Sequence, residues 1–172
     1  MPGNVYFCGM IGSGKTTLGL GVARELDRPF ADLDREMDAR LGYSFHQLVA
    51  ERGWLPFREL EYEICKQFAL LNNTVVCLGG GTVRYQWNID ALSGSGRLIL
   101  LEVSPSELIR RVSEADRPRV NPGTGLEEDI RLMWAAERDK YYRCADLVYR
   151  AEGKLEQTEI DELVTLIGRN GW

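Results

Sequence analysis

Gly9-Met10-Ile11-Gly12-Ser13-Gly14-Lys15-Thr16 fits the spacing G-x-x-x-x-G-K-[ST], between an apolar run, Val5 to Cys8, and a helical pattern that begins at Thr17. Strand before and helix after are the setting in which such a loop grips phosphate. Glycines let backbone N–H groups approach phosphate oxygens in conformations a side chain obstructs, and the following helix turns its positive end toward the same anion. Lys15 is suited to reach the β- and γ-phosphates and Thr16 to offer a hydroxyl to Mg²⁺. A glycine-rich turn with an incidental lysine is the bland alternative, and it requires the whole octet and both flanks to coincide.

Outward from this loop, strand-like runs at Val5 to Cys8, Phe30 to Asp32, Thr74 to Leu78, Leu98 to Val103 and Leu147 to Tyr149 alternate with helical patterns. The helices are expected near Thr17 to Leu26, Arg35 to Leu41, Phe45 to Arg52, Phe57 to Leu71, Ser106 to Glu114, Leu126 to Tyr142 and Thr158 to Arg169. Alternation implies a parallel sheet covered on both faces, a three-layer α/β/α sandwich. The breaker cluster Asn121-Pro122-Gly123-Thr124-Gly125 follows the basic Arg117-Pro118-Arg119 and reads as a mobile loop.

The 172 residues suffice for one domain with a proper core, and one domain over 1–172 is the expectation. A net charge of −5 and a pI near 5.1 argue against nucleic acid or a membrane surface as partner, so basic groups that matter should be local and aimed at a small anion. No stretch approaches the roughly 18 apolar residues of a membrane span, and no signal core follows the N-terminus, which leads us to expect a cytoplasmic protein. Cys8, Cys65, Cys77 and Cys144 show no C-x-x-C spacing, so neither zinc nor a disulfide framework is indicated.

Ligands of an open parallel sheet collect beyond the carboxyl ends of its strands. After the second strand come Asp32 and Asp34, two apart, whose carboxylates share one side if the chain stays extended; Asp34 alone also fits the N-cap of the helix that follows. After the third come Gly79-Gly80-Gly81, either a bare floor for a ligand or a loose turn. Arg58, Arg117 and Arg138 are the candidate cations for an anionic substrate. Arg58 and Glu61 stand at i and i+3, which also describes an ordinary surface pair, and Arg138 in a charged helix also reads as solvated. His46, with no nucleophile or acid apparent beside it, reads as structural.

Together these motifs resemble the shikimate kinases, members of the nucleoside-monophosphate-kinase group of P-loop folds. The resemblance spans nearly the whole chain: Gly9 to Thr16, Asp32-Leu33-Asp34, Phe57-Arg58 with Glu61, Gly79-Gly80-Gly81, Arg117-Pro118, and Arg138 ahead of Tyr141-Tyr142. It implies a five-stranded parallel sheet of order 2-3-1-4-5, ATP on the P-loop, and phosphorylation of the 3-hydroxyl of shikimate on the way to chorismate and the aromatic amino acids. By the same resemblance Gly12, Ser13, Gly14, Lys15, Thr16 and Thr17 contact the nucleotide, Arg110 packs on adenine unless Arg111 takes that place, and Arg117 closes over the phosphates. Thr16 and Asp32 hold Mg²⁺, and Asp34 orients and deprotonates the attacking hydroxyl. Arg58 and Arg138 clamp the carboxylate, Glu61 fixes Arg58, and Gly79, Gly80 and Gly81 line the sugar-like ring. The substrate-binding region falls at about 33–61 and the lid at about 112–125; a monomer that binds shikimate and ATP, without nucleic acid or membrane, is expected.

The chain departs from the family pattern at Arg119-Val120 after the lid proline and at Gly53-Trp54-Leu55-Pro56, where acidic residues are common. A different small-molecule kinase of the same fold is one rival reading. A non-catalytic ATP-binding protein or switch GTPase is another, against which stand the intact Lys15, Asp32 and Asp34 and the lack of an N-K-x-D motif.

Overall fold

Five apolar runs become strands, β1 (Asn4–Cys8), β2 (Phe30–Asp32), β3 (Val75–Cys77), β4 (Gly96–Glu102) and β5 (Leu147–Arg150), in a computed structural model that describes residues 3–112, 120–121 and 123–172. All four neighbouring pairs are parallel and the order is β2-β3-β1-β4-β5, as the resemblance implies. Every residue of β1 is buried, which explains its lack of polar alternation: a central parallel strand is covered on both faces. At the first strand residue Asn4 stays satisfied by donating to Leu71 O at 2.8 Å and accepting from Thr74 N at 3.0 Å.

The helices are α1 (Lys15–Glu25), α2 (Leu33–Leu41), α3 (Phe45–Arg52), α4 (Trp54–Phe68), α5 (Gln86–Leu92), α6 (Pro105–Val112), α7 (Leu126–Cys144) and α8 (Glu156–Arg169). They complete the three-layer α/β/α arrangement, with α1 packed on β3 and α8, and α7 on β4 and α6. None of the described helices is long and apolar enough to cross a membrane. Residues 113–119 and 122 of the expected lid, with Arg117 and Arg119, lie outside the described residues.

Three differences from the sequence expectations bear on the site. Helix α4 begins at Trp54 rather than Phe57, because a proline such as Pro56 is tolerated in a first turn whose N–H groups have no helical acceptor. Helix α2 begins at Leu33, capped by Asp32, whose Oδ1 accepts from Arg35 N at 3.2 Å. Asp34 is therefore not the cap, and it does not share an extended segment with Asp32; it sits in the first helical turn. A 3-10 turn at Thr82–Arg84 and the two-turn α5 were not expected at all.

Helix α1 lies against the sheet at Gly19, where an added Cβ would sit 2.4 Å from Cys77 Sγ and 3.3 Å from both Phe7 Cδ2 and Phe30 Cε2. Overpacking of this kind outweighs the better helix propensity of alanine. Gly19→Ala is expected to lower stability by about 1–3 kcal/mol in urea unfolding; an unchanged or raised midpoint would contradict the tight α1–β3 contact.

Candidate active site

β1 ends in the glycine loop, and its conformation depends on residues without side chains: Gly12 has φ +78° and Gly14, which begins α1, has φ +91°. Ser13 is buried beneath, its N–H donating to Met10 O at 3.2 Å. Lys15 Nζ lies over the loop, donating to Gly9 O and Met10 O, each at 2.9 Å. The ammonium and the positive end of α1 thus lie at one mouth, an anion site in physical terms. Thr17, next along α1, is exposed.

Beside this mouth Thr16 Oγ1 donates to Asp32 Oδ2 at 2.7 Å, while the other oxygen of Asp32 caps α2. A hydroxyl and a fixed carboxylate are hard oxygen donors that suit Mg²⁺, which takes one or two protein oxygens and fills its octahedron with water and phosphate. No cluster of three or more His, Cys, Asp or Glu able to hold a metal occurs among the described residues. Of the two arginines at the end of α6, Arg111 is fixed against the loop, donating to Gly12 O at 3.3 Å and Ala151 O at 3.0 Å. Arg110 is 73% exposed and pairs with Glu107 at 2.7 Å; Arg110 and then Arg111 hold the Glu107 carboxyl down at about 2.

The chain leaving β3 runs beside the glycine loop, Leu78 N donating to Phe7 O at 2.9 Å, and Gly79, Gly80 and Gly81 follow. There a cavity opens, lined by Asp34, Arg58, Glu61 and the three glycines, by Met10 and Ile11 of the loop, and by Phe45, His46, Trp54 and Phe57. Arg84, Val120 and Leu126, Asp129, Ile130 and Met133 of α7 complete it. A side chain would crowd two of the glycines. A Cβ on Gly79 would stand 3.2 Å from Asp34 Oδ1, and one on Gly81 only 2.9 Å from Arg58 Nη2. Tyr141 of α7 fixes the turn from above by donating its hydroxyl to Gly80 O, and burial pushes the Tyr141 hydroxyl pKa up.

Arg58 is not a surface arginine. Its Nη1 donates to Glu61 Oε2 at 2.8 Å, with the Arg58 side chain 10% and the Glu61 side chain 0% exposed, so the surface-pair reading is corrected. Starting α4 at Trp54 puts Trp54, Phe57 and Arg58 on one face, and the guanidinium lies 5.2 Å from the Trp54 ring, 4.7 Å from Phe57 and 4.7 Å from Tyr85. Burying Glu61 is tolerable because Thr82 Oγ1 donates to it at 2.8 Å and Asn88 Nδ2 at 3.1 Å. Those two donors come from the unexpected 3-10 turn and α5, whose task here is to satisfy the carboxylate that holds Arg58. Asp129, also buried, accepts from Val120 N at 3.0 Å and Asn121 N at 2.8 Å, tying the end of the lid segment to α7.

The structure does not bring Arg138 into this wall. Its side chain is 60% exposed, 3.5 Å from Asp139, and lies on α7 one turn before Tyr141. His46, read as structural, lines the cavity instead, edge-on to Phe45. Arg84 escaped the sequence reading; its only signal was its place three residues beyond the glycine triplet.

The family model described as Shikimate kinase matches residues 11–167. A shikimate kinase of Chlorobium luteolum is 34% identical over 173 residues, covering 96% of this chain and 85% of the relative. Among solved structures, the shikimate kinase of Bacteroides thetaiotaomicron superposes with a TM-score of 0.82 at 29% identity, covering 96% of this chain and 98% of that one. The shikimate kinase of Acinetobacter baumannii, solved in complex with shikimate, superposes with a TM-score of 0.92 at 22% identity, covering 99% of this chain and 95% of that one, a likeness of fold.

Proposed function

The chain belongs to the shikimate kinase family, and from that premise we propose how its residues divide the work of phosphorylating shikimate. The reaction moves the γ-phosphoryl group of ATP to the 3-hydroxyl of shikimate, giving shikimate 3-phosphate and ADP, a step of chorismate and aromatic amino acid biosynthesis. One observation supports the division best: the phosphate loop and the cavity of Asp34, Arg58 and the bare glycines adjoin, with Met10 and Ile11 common to both.

Phosphoryl transfer needs in-line positioning and charge neutralisation more than covalent help from the protein. Gly12 to Thr17 cradle the nucleotide phosphates, and Lys15 neutralises charge on the group in transit. Thr16 and Asp32 would hold Mg²⁺, which would supply neutralisation of phosphate charge. Asp34 orients the 3-hydroxyl and takes its proton as the oxygen bonds to phosphorus and the bond to the ADP oxygen breaks. Arg58, held by Glu61, takes the carboxylate of shikimate, with Arg138 reaching from the rim on α7 and Gly79 to Gly81 leaving room for the ring. Arg110 packs on adenine and Arg117 closes over the phosphates. The protein acts as a cytoplasmic monomer.

The test is ADP release from Mg²⁺-ATP with shikimate, beside quinate, gluconate, nucleoside monophosphates and no acceptor. A rate that depends on shikimate is expected; ATP bound without shikimate turnover would overturn the reading. Thr16→Val, which keeps the shape and removes the hydroxyl, is expected to raise the Mg²⁺ concentration for half-maximal rate on the order of tenfold to a hundredfold. An unchanged Mg²⁺ requirement in that variant would remove Thr16 from the metal site.

A further inference from the structure

Arg84 lines the acceptor cavity, and its ion pair with Glu137 is long and shared. Arg84 ends the 3-10 turn that the glycine triplet feeds, its N–H donating to Gly81 O at 3.2 Å, and it lines the same cavity as Arg58. Its side chain is 13% exposed and its Nε is buried with no hydrogen-bond partner among the described residues. Among the described residues the acid paired with it is Glu137, 3.5 Å away, at the limit of a hydrogen bond, and shared with Lys140, which approaches it to 2.8 Å. Of the three acids that line the cavity, Glu61 is engaged by Arg58, Thr82 and Asn88, Asp129 by the backbone of Val120 and Asn121, and Asp34 stands beside Gly79. A guanidinium largely withdrawn from water and held to an anion by one long shared contact among the described residues is poorly compensated, and a bound anion relieves it.

We infer that Arg84 is a carboxylate-binding residue for shikimate, lining the same cavity as Arg58, and that it sets the preference for an acidic acceptor. The inference rests on the shikimate reading. It adds a second guanidinium inside the cavity to Arg58, beside Arg138 at the rim, and charge-assisted contacts of this kind are stronger than neutral ones.

The experiment compares shikimate with its methyl ester as acceptors for the intact protein and for Arg84→Gln. In the parent protein the ester, lacking the charge, should have the higher KM. Arg84→Gln is expected to raise the KM for shikimate about tenfold or more, to leave the KM for the ester and for ATP within about twofold, and so to shrink the ester-to-acid ratio about tenfold. Glu137→Gln is expected to leave the shikimate KM unchanged or lower it, since it releases Arg84 toward the ligand. If Arg84 only ties the 3-10 turn to α7 through Glu137, both variants raise KM alike, and for acid and ester equally; that result overturns the inference, as does a shikimate KM within twofold of the parent in Arg84→Gln. A parent protein with no shikimate-dependent ADP release overturns the functional reading and this inference together, which separates the two failures.

Discussion

Asp34→Asn is expected to lower turnover with shikimate by about 10²-fold or more while ATP still binds, the scale on which a positioned general base acts. The substitution is well suited to the question because Asp34 is not the cap of α2: Asp32 holds that position, so Asn at 34 leaves the Asp32–Arg35 contact and the helix start untouched. The amide keeps the shape beside Gly79 but cannot accept the proton of the 3-hydroxyl. Nucleotide binding, measured by titration with ATP, should stay near the parent value because the P-loop contacts are elsewhere. Near-normal turnover with Asn at 34 would remove Asp34 from the proton transfer, and loss of ATP binding alongside turnover would point to a disturbed loop.

Arg58→Ala is expected to raise the KM for shikimate by roughly 30- to 1000-fold, the equivalent of about 2 to 4 kcal/mol for one arm of a charge-assisted carboxylate contact, while the KM for ATP stays within about threefold. The variant also leaves Glu61 buried with only Thr82 and Asn88 as donors, so a stability loss of about 3–5 kcal/mol accompanies it and must be measured by denaturant. Arg58→Lys separates the two effects: it keeps a charge near Glu61 but cannot fork, so it should restore much of the stability and less of the shikimate affinity. Equal weakening of both ligands would indicate a general loss of structure.

Much of this was legible from the chain because the chemistry sits in short local signals. The glycine loop from Gly9 to Thr16 announces itself by spacing, and Val5 to Cys8 of the strand leading into it is apolar since it is covered on both faces. What was not legible depended on contacts between distant segments. Nothing local distinguishes Arg58 and Glu61 from a surface i,i+3 pair; only the arrival of Thr82 and Asn88, which lie 21 and 27 residues beyond Glu61, makes its burial affordable. Those donors ride on a 3-10 turn and a two-turn helix too short to show a period. Arg84 and His46 were passed over for the same reason, since their significance is that the fold carries them to one cavity wall. The capping alternative for Asp34 stayed open because Asp32 and Asp34 are equally good capping residues and the sequence cannot say which residue the helix leaves outside.

The central claim is that this chain phosphorylates one particular hydroxyl of shikimate. Its most direct test is the identity of the product, by phosphorus–proton NMR of a reaction with Mg²⁺-ATP and shikimate run to completion. The account predicts a single new phosphomonoester whose phosphorus couples to the proton on carbon 3. A phosphorus coupled to another ring proton, or ATP consumed with no phosphorylated shikimate formed, would contradict it.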